Sequence, residues 1–583
     1  MKTRIISALL AAVMLSGIMP IAVHADATAY DLRVAGVQIT DSDLVIDTTD
    51  EGVTSGKATF DPQTNTLTLD NFSCEYDYCC IEAFGFDLNV KLVGENTITA
   101  PYAICIEGNK LAISGENRNT DKLIFLTDNL DGRDHIYAET GVSIKDCTVT
   151  TDRTDDGRTI NVSSSIASYG KIEIDGCYIN INTAYEDATT DCGIYVKPGY
   201  GEILPETGIE IKDSSIVANT YFVALVTDDG SGIVIDNSEL IGNGIATCSG
   251  GDIMIKNGSV VDATELNFVD GICAGTWGEN NALLTIADSK VESQSLGAYG
   301  NINIEDSTVD LSGAEVGIWC DDLSITDSVV NTTAEDSYDW SSGISCINLT
   351  ILRSKVLASG GNASSWAYTF GIDCTLASIT DSTVKATAGA ANYGESFGIR
   401  AAEIQPMSLS YESDIDSGIT ITNSSVIATG KTKGIDGNVT LIGNHTVYTD
   451  DKPSAPAVTN PTEDTYESKY VKIVPVSNDE RNPLSSGNTM VLMLLKKLLR
   501  DVVVNDGITG GTVVSDVDAV RVNETVTVTV TPDEGCKLVG LTVTNNRGKA
   551  IKLTQVSETE YTFKVSGFDV FVDAEFAKID SAT

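Results

Sequence analysis

The chain has 583 residues, enough for more than one domain, and sets 37 Lys and Arg against 83 Asp and Glu for a net charge of −46. A field of that sign repels phosphate backbones and anionic lipid surfaces, which excludes nucleic acid as a partner. Its thirteen cysteines are odd in number and lack the spacing of a small disulfide-stapled domain.

Residues 1–25 read as an export signal. Lys2 and Arg4 make a positive start, 5–23 is apolar almost throughout, and Val23-His24-Ala25 supplies a small-residue cleavage site. Loss of Lys2 and Arg4 takes the charge from −46 to −48. No cysteine near the cut offers a lipid anchor, and 575–583 shows neither a sorting motif nor a hydrophobic tail. No later run reaches the roughly 20 apolar residues of a spanning helix. A secreted or cell-surface protein without a transmembrane segment is expected. The acidic surface suits solubility or divalent cations, so calcium is the one cofactor considered.

Residues 26–86 alternate as strands, in YDLRVAGVQIT (30–40) and KATFDPQTNTLTLDNFS (57–73), the second turning at Asp61-Pro62 and Asn65. Ahead of a repeat array, this segment is placed to cap the first coil.

From 87 to 450 one phrase recurs: apolar–x–apolar–x–[D/N]–[S/G/C]–x–apolar. It reads VSIKDCTV (142–149), IEIDGCYI (172–179), INIEDSTV (302–309) and ITITNSSV (419–426), with like copies between. The anchors Asp146, Asp175, Asp213, Asp236, Asn257, Asp288, Asp306, Asp327, Arg353, Asp381, Asn423 and Asn444 are spaced from 18 residues (Asp288 to Asp306) to 42 (Asp381 to Asn423). Two short strands around a polar corner, without a helical stretch, exclude helical repeats, and the shortest units are too small for propeller blades. One coil of a parallel β-helix fits, with alternating Ile, Val and Leu facing a core and Asp, Asn, Ser or Gly at the turn. About fourteen coils make a rod on the order of 65 Å long.

A second phrase marks another strand: CGIYV (192–196), GIWC (317–320), GISC (343–346), GIDC (371–374) and GIRA (398–401). Alternation points Ile318, Ile344, Ile372, Cys320, Cys346 and Cys374 inward. Val196, Ala274 and Ala401 replace the cysteine elsewhere, so these thiols act as small hydrophobes in an internal stack rather than as metal ligands. Cys74, Cys79 and Cys80 can form a bridge among themselves.

Residues 451–505 read as a linker, proline-rich at 451–468, with one strand at 469–476 and one helix at 488–504, where Leu492, Leu495 and Leu499 recur at helical spacing. Residues 506–583 form a separate small β domain with strands at 510–514, 524–535, 538–544, 561–565 and 569–576. Its order, from GGTVV through TVTVTVTPDEG to DVFVDAEF, resembles the bacterial repeat module of Gram-positive surface proteins, with Cys536 in place of that module's tyrosine. The resemblance implies an extracellular spacer or adhesion accessory.

The fold class expected is all-β: a right-handed parallel β-helix solenoid with an N-terminal β cap and a small C-terminal β domain. It resembles the pectin-lyase-like superfold, which hosts lyases, glycoside hydrolases, adhesins and binders, so the fold alone does not decide the function. The hydrolase motifs of that superfold, Gly-His-Gly and Arg-Ile-Lys, are missing around His135 and His445 and elsewhere. A sugar-binding groove would be drawn from Trp319, which points outward, Asp321 and Asp322 beside it, and Arg353, which takes an anchor position otherwise held mainly by Asp or Asn. Paired carboxylates can hydrolyse glycosides or hold calcium. The column outside the inner stack reads Tyr195, Trp319, Ser345, Asp373, Arg400 and Asp436. Trp277, Trp340 and Trp366 sit in loops and could form a side platform for sugar rings. The reading is an exported, non-catalytic binding or adhesion protein of Gram-positive type with polysaccharide as partner. A calcium-assisted lyase or hydrolase and a plain architectural spacer are the alternatives.

Overall fold

This computed structural model describes residues 28–127, 134–153, 164–182, 192–199, 207–220, 222–264, 271–276, 281–364, 367–402, 417–451, 456–466, 468–476, 499–505, 507–517, 519–521, 525–533, 535–545, 550–557, 559–565 and 570–578. The signal segment 1–25, Trp277, Trp366 and residues 488–498 of the expected helix lie outside them.

Each coil lays one strand on each of three parallel sheets. Gly300–Glu305, Thr308–Ser312 and the first half of Val316–Thr326 make one coil. The next uses the second half of Val316–Thr326, then Val329–Thr333, then the first half of Trp340–Leu352. Strands stack in register, so like positions meet: Ile304, Ile325, Ile351, Ile379 and Ile421 are successive neighbours on the first face. All are essentially buried. Alternation produces this, since a period of two sends every second side chain into one continuous core. Gly300–Glu305 alternates fully between buried and exposed positions. The interior cysteine stack is as expected: Cys320, Cys346 and Cys374 are register neighbours, and Ile318, Ile344 and Ile372 beside them are buried.

The corner between the first and second faces holds one residue with positive φ in coil after coil: Asp146, Asp213, Asn257, Asp288, Asp306, Asp327, Arg353, Asp381 and Asn423. Asp and Asn enter this left-handed conformation more readily than other side chains because they bond their own backbone. Three anchors are corrected by one residue. Gly176, Asn237 and Gly443 carry the positive φ, not Asp175, Asp236 and Asn444.

In the coils from Asp146 to Asn423 the residue that follows the positive-φ turn faces inward and is buried. From Ser214 to Ser424 it is serine in successive coils. Ser307 Oγ donates to the Glu305 carbonyl at 2.6 Å and accepts the Ser289 amide at 3.1 Å, and Ser328 repeats this with Thr326 and Ser307. A hydroxyl that donates within its own turn and accepts the buried amide of the neighbouring coil satisfies that amide and links the two coils, which explains the Asp-Ser pair better than turn preference alone.

The N-terminal cap forms as expected. Ala29–Val34 pairs antiparallel with Val37–Thr40 and with Cys79–Phe84, and Val53–Asp61 pairs with Thr66–Glu75 around a turn in which Asn65 has positive φ. Thr66–Glu75 then stacks parallel on Leu88–Val93 and begins the solenoid. Cys74 is bridged to Cys80. At the other end, Tyr470–Pro475 pairs antiparallel with Ser425–Thr429 and His445–Tyr448 and puts Val471 and Ile473 into the main core. The strand expected in a linker therefore covers the last coil.

The C-terminal residues form two four-stranded sheets around their own core, which includes Val526, Val528, Val543, Phe563 and Val572. Leu499–Val504 is a strand paired with Val570–Lys578, not the end of a helix. Three consecutive valines at 502–504 favour an extended chain, and the sheet partner decides the matter. Among the described residues no helix is long and apolar enough to cross a membrane.

Candidate functional site

The third face differs from the other two. Val223–Thr227 and Ile245–Cys248 are buried at every position, inside and out. The long connections between Cys192–Val196 and Ile209–Lys212 and between Ser396–Ala401 and Gly418–Thr422 follow strands of this face. Corners between the first two faces stay short in most coils because the serine ladder fixes their geometry.

Its outer column is the one read from the sequence. Trp319, Ser345, Asp373, Arg400 and Asp436 are successive register partners. Trp319 is half-buried and lies across Gly297, where a Cβ would come within 2.3 Å of the indole, and it meets Tyr299 edge-on at 5.1 Å. It covers the preceding coil rather than standing open. Asp373 is buried and bound by both arms of Arg400, at 2.6 and 2.8 Å. Burial pushes its carboxyl up to about 6 against the opposing pull of Arg400. The Arg400 guanidinium stacks over Phe370 at 4.4 Å, and Phe370 lies parallel to Phe397 of the next coil at 5.8 Å.

Arg353 does not assemble with Trp319, Asp321 and Asp322 into one groove, although those three share one strand. Asp322 begins a first-face strand and accepts the Asn348 side-chain amide at 2.7 Å. Asp321 beside it is half-buried, and burial, then the Asp322 charge, push its carboxyl up. Arg353 sits past the far end of a first-face strand one coil on, bound to Asp327 by two bonds of 2.8 and 2.6 Å. It neutralises the corner column, where Asp306 and Asp381 also act on it.

The arrangement that does assemble lies where the second face passes to the third in three consecutive coils. The connections after Val329–Thr333, Lys355–Ser359 and Thr383–Thr387 stack on one another through bridges at Ser337, Ala363 and Ala391. Asp336 accepts the Asn362 backbone amide at 2.7 Å and its side-chain amide at 3.0 Å, which hold the Asp336 carboxyl below its usual range, and Asn362 in turn accepts the Ala390 amide at 2.8 Å. This shelf presents Tyr338 (73% exposed), Tyr393 (65%) and Tyr368 (44%). Trp340 pairs in register with Tyr368 and is half-buried, its Nε1 buried without a partner. Tyr368 stacks on Phe370 at 6.0 Å, so the exposed ring rests on a fixed one. Of the three tryptophans read as a side platform, Trp340 is here, at the start of a strand rather than in a loop. The tyrosines were missed. Their signal was an aromatic cluster just before each Gly-Ile phrase, in SYDWSSGI, WAYTFGI and NYGESFGI.

Flat rings interleaved with carboxylate, carboxamide and hydroxyl groups suit a ligand with apolar ring faces and many hydroxyls. Among the described residues no group of three or more His, Cys, Asp or Glu is placed to hold a metal ion. In comparison with known proteins, the chain matches no family model, no curated protein and no solved structure.

Proposed function

We propose that this is an exported, non-catalytic binding or adhesion protein that recognises polysaccharide through the aromatic shelf. The observation that carries the reading is the shelf itself, with exposed Tyr338, Tyr368 and Tyr393 on three successive coils. Coil spacing is about 4.8 Å, so the platform repeats along the rod, and a polymer of repeating rings can meet several tyrosines at once. Several weak contacts on one rigid support reinforce each other without any being strong. The proposed partner is neutral or cationic, since a chain of net charge −46 repels polyanions.

Native electrophoresis in gels containing single polysaccharides tests this. Retardation by one neutral polymer, left at its original length, is the expected result. No retardation across plant, host and bacterial polymers would remove the reading, and shortening of the retarding polymer would make the protein an enzyme.

A further inference from the structure

We propose that Cys147 and Cys177 form a disulfide bond that ties two successive coils together inside the solenoid. Both occupy the inward corner position that is serine in the later coils, and they are consecutive in the stack. Thr148 and Tyr178 beside them are register partners, Tyr178 N donates to the Cys147 carbonyl at 3.1 Å, and Asp146 N donates to the Asp175 carbonyl at 3.0 Å. Their Cα atoms are thus separated by the spacing of neighbouring strands, about 4.8 Å, within the roughly 4.4–6.8 Å that a disulfide spans. Both are free thiols in this structure, with their side chains adjacent.

Cys177 Sγ also lies 3.2 Å from the Asp175 carbonyl and 3.3 Å from the Ile144 carbonyl, thiol hydrogen bonds that the disulfide replaces. Cys79 touches Cys105, but Cys79 faces Tyr102 and Cys105 faces Glu82, three positions along the strand.

Both cysteines are fully buried, so the bond closes before the coils pack. One thiolate attacks a small-molecule disulfide such as glutathione disulfide and releases one glutathione thiolate. The second thiolate then displaces the other glutathione. Two thiols become one disulfide, and one external disulfide becomes two thiols. The bond closes a loop of 30 residues (177 − 147) that includes the connection 154–163, and so removes chain entropy from the unfolded state. The proposal rests on the export reading and is independent of the glycan.

The test uses the full chain exported into an oxidising compartment. The folded protein is denatured with an alkylating agent and no reductant, digested and mapped by mass spectrometry. The expected result is a cross-linked peptide pair carrying Cys147 and Cys177, with neither residue alkylated until reductant is added. The double variant Cys147→Ser/Cys177→Ser restores the residue of the other coils and should fold. Its Tm should fall by less on adding reductant than that of the wild type. Alkylation of both residues in protein denatured without reductant overturns the proposal, as does an equal reductant response in the two proteins.

Discussion

Ser328 shows what a single side chain does in this fold. Its hydroxyl donates to the Thr326 carbonyl and accepts the buried Ser307 amide. Ser328→Ala leaves that amide short of a partner and should cost about 1–3 kcal/mol in chemical denaturation, whereas Ser324→Ala, on the outer side of the preceding strand, should cost less. Equal losses would remove the ladder as the reason for serine. Asp373 sets a pH dependence. A carboxyl raised from 3.8 to about 6 binds its proton more tightly in the folded state. Its contribution is complete below about pH 4 and is lost as pH rises through 6. Measured by thermal unfolding, wild type should lose stability relative to Asp373→Asn between those values; a difference independent of pH would contradict this. The corner carboxylates and inward isoleucines were legible in the sequence, because alternation and turn chemistry act locally. The serine ladder was not, because its partners lie one coil away and spacing alone does not reveal a bond to the next turn.

At the scale of elements, the strands followed from the repeat, but what lies outside them did not. Trp319 was read as outward, and it is, yet it covers Gly297 because that neighbour has no side chain. Gly297→Val should displace the indole, seen as a red shift and rise in solvent quenching of tryptophan fluorescence, with far-ultraviolet dichroism retained; unchanged quenching would place the ring elsewhere. The site drawn from Trp319, Asp321, Asp322 and Arg353 failed to assemble because sequence proximity ignores the corners. Asp322 and Arg353 belong to opposite ends of first-face strands. Residues 488–504 were read as a helix from leucine spacing, while Leu499–Val504 extends against Val570–Lys578, a partner some seventy residues on that local periodicity does not register.

Among the described residues two large cores stand apart, one running from Leu32 to Ile473 and one from Val502 to Val572, with a small third cluster of Cys192, Val223, Val226 and Ala246 on the third face. Separate cores unfold separately unless a large interface joins them. Removal of residues 499–583 should therefore leave the main calorimetric transition within a few degrees of its place and abolish a smaller one; loss of the main transition would show that the C-terminal sheets support the solenoid. Glycan binding by the shelf is tested by retardation in polysaccharide gels of wild type beside Tyr338→Ala/Tyr368→Ala/Tyr393→Ala. These rings are exposed, so the variant should keep its fold and its Tm. The account predicts a polymer that slows the wild type and not the variant. Equal retardation of the two proteins would contradict it.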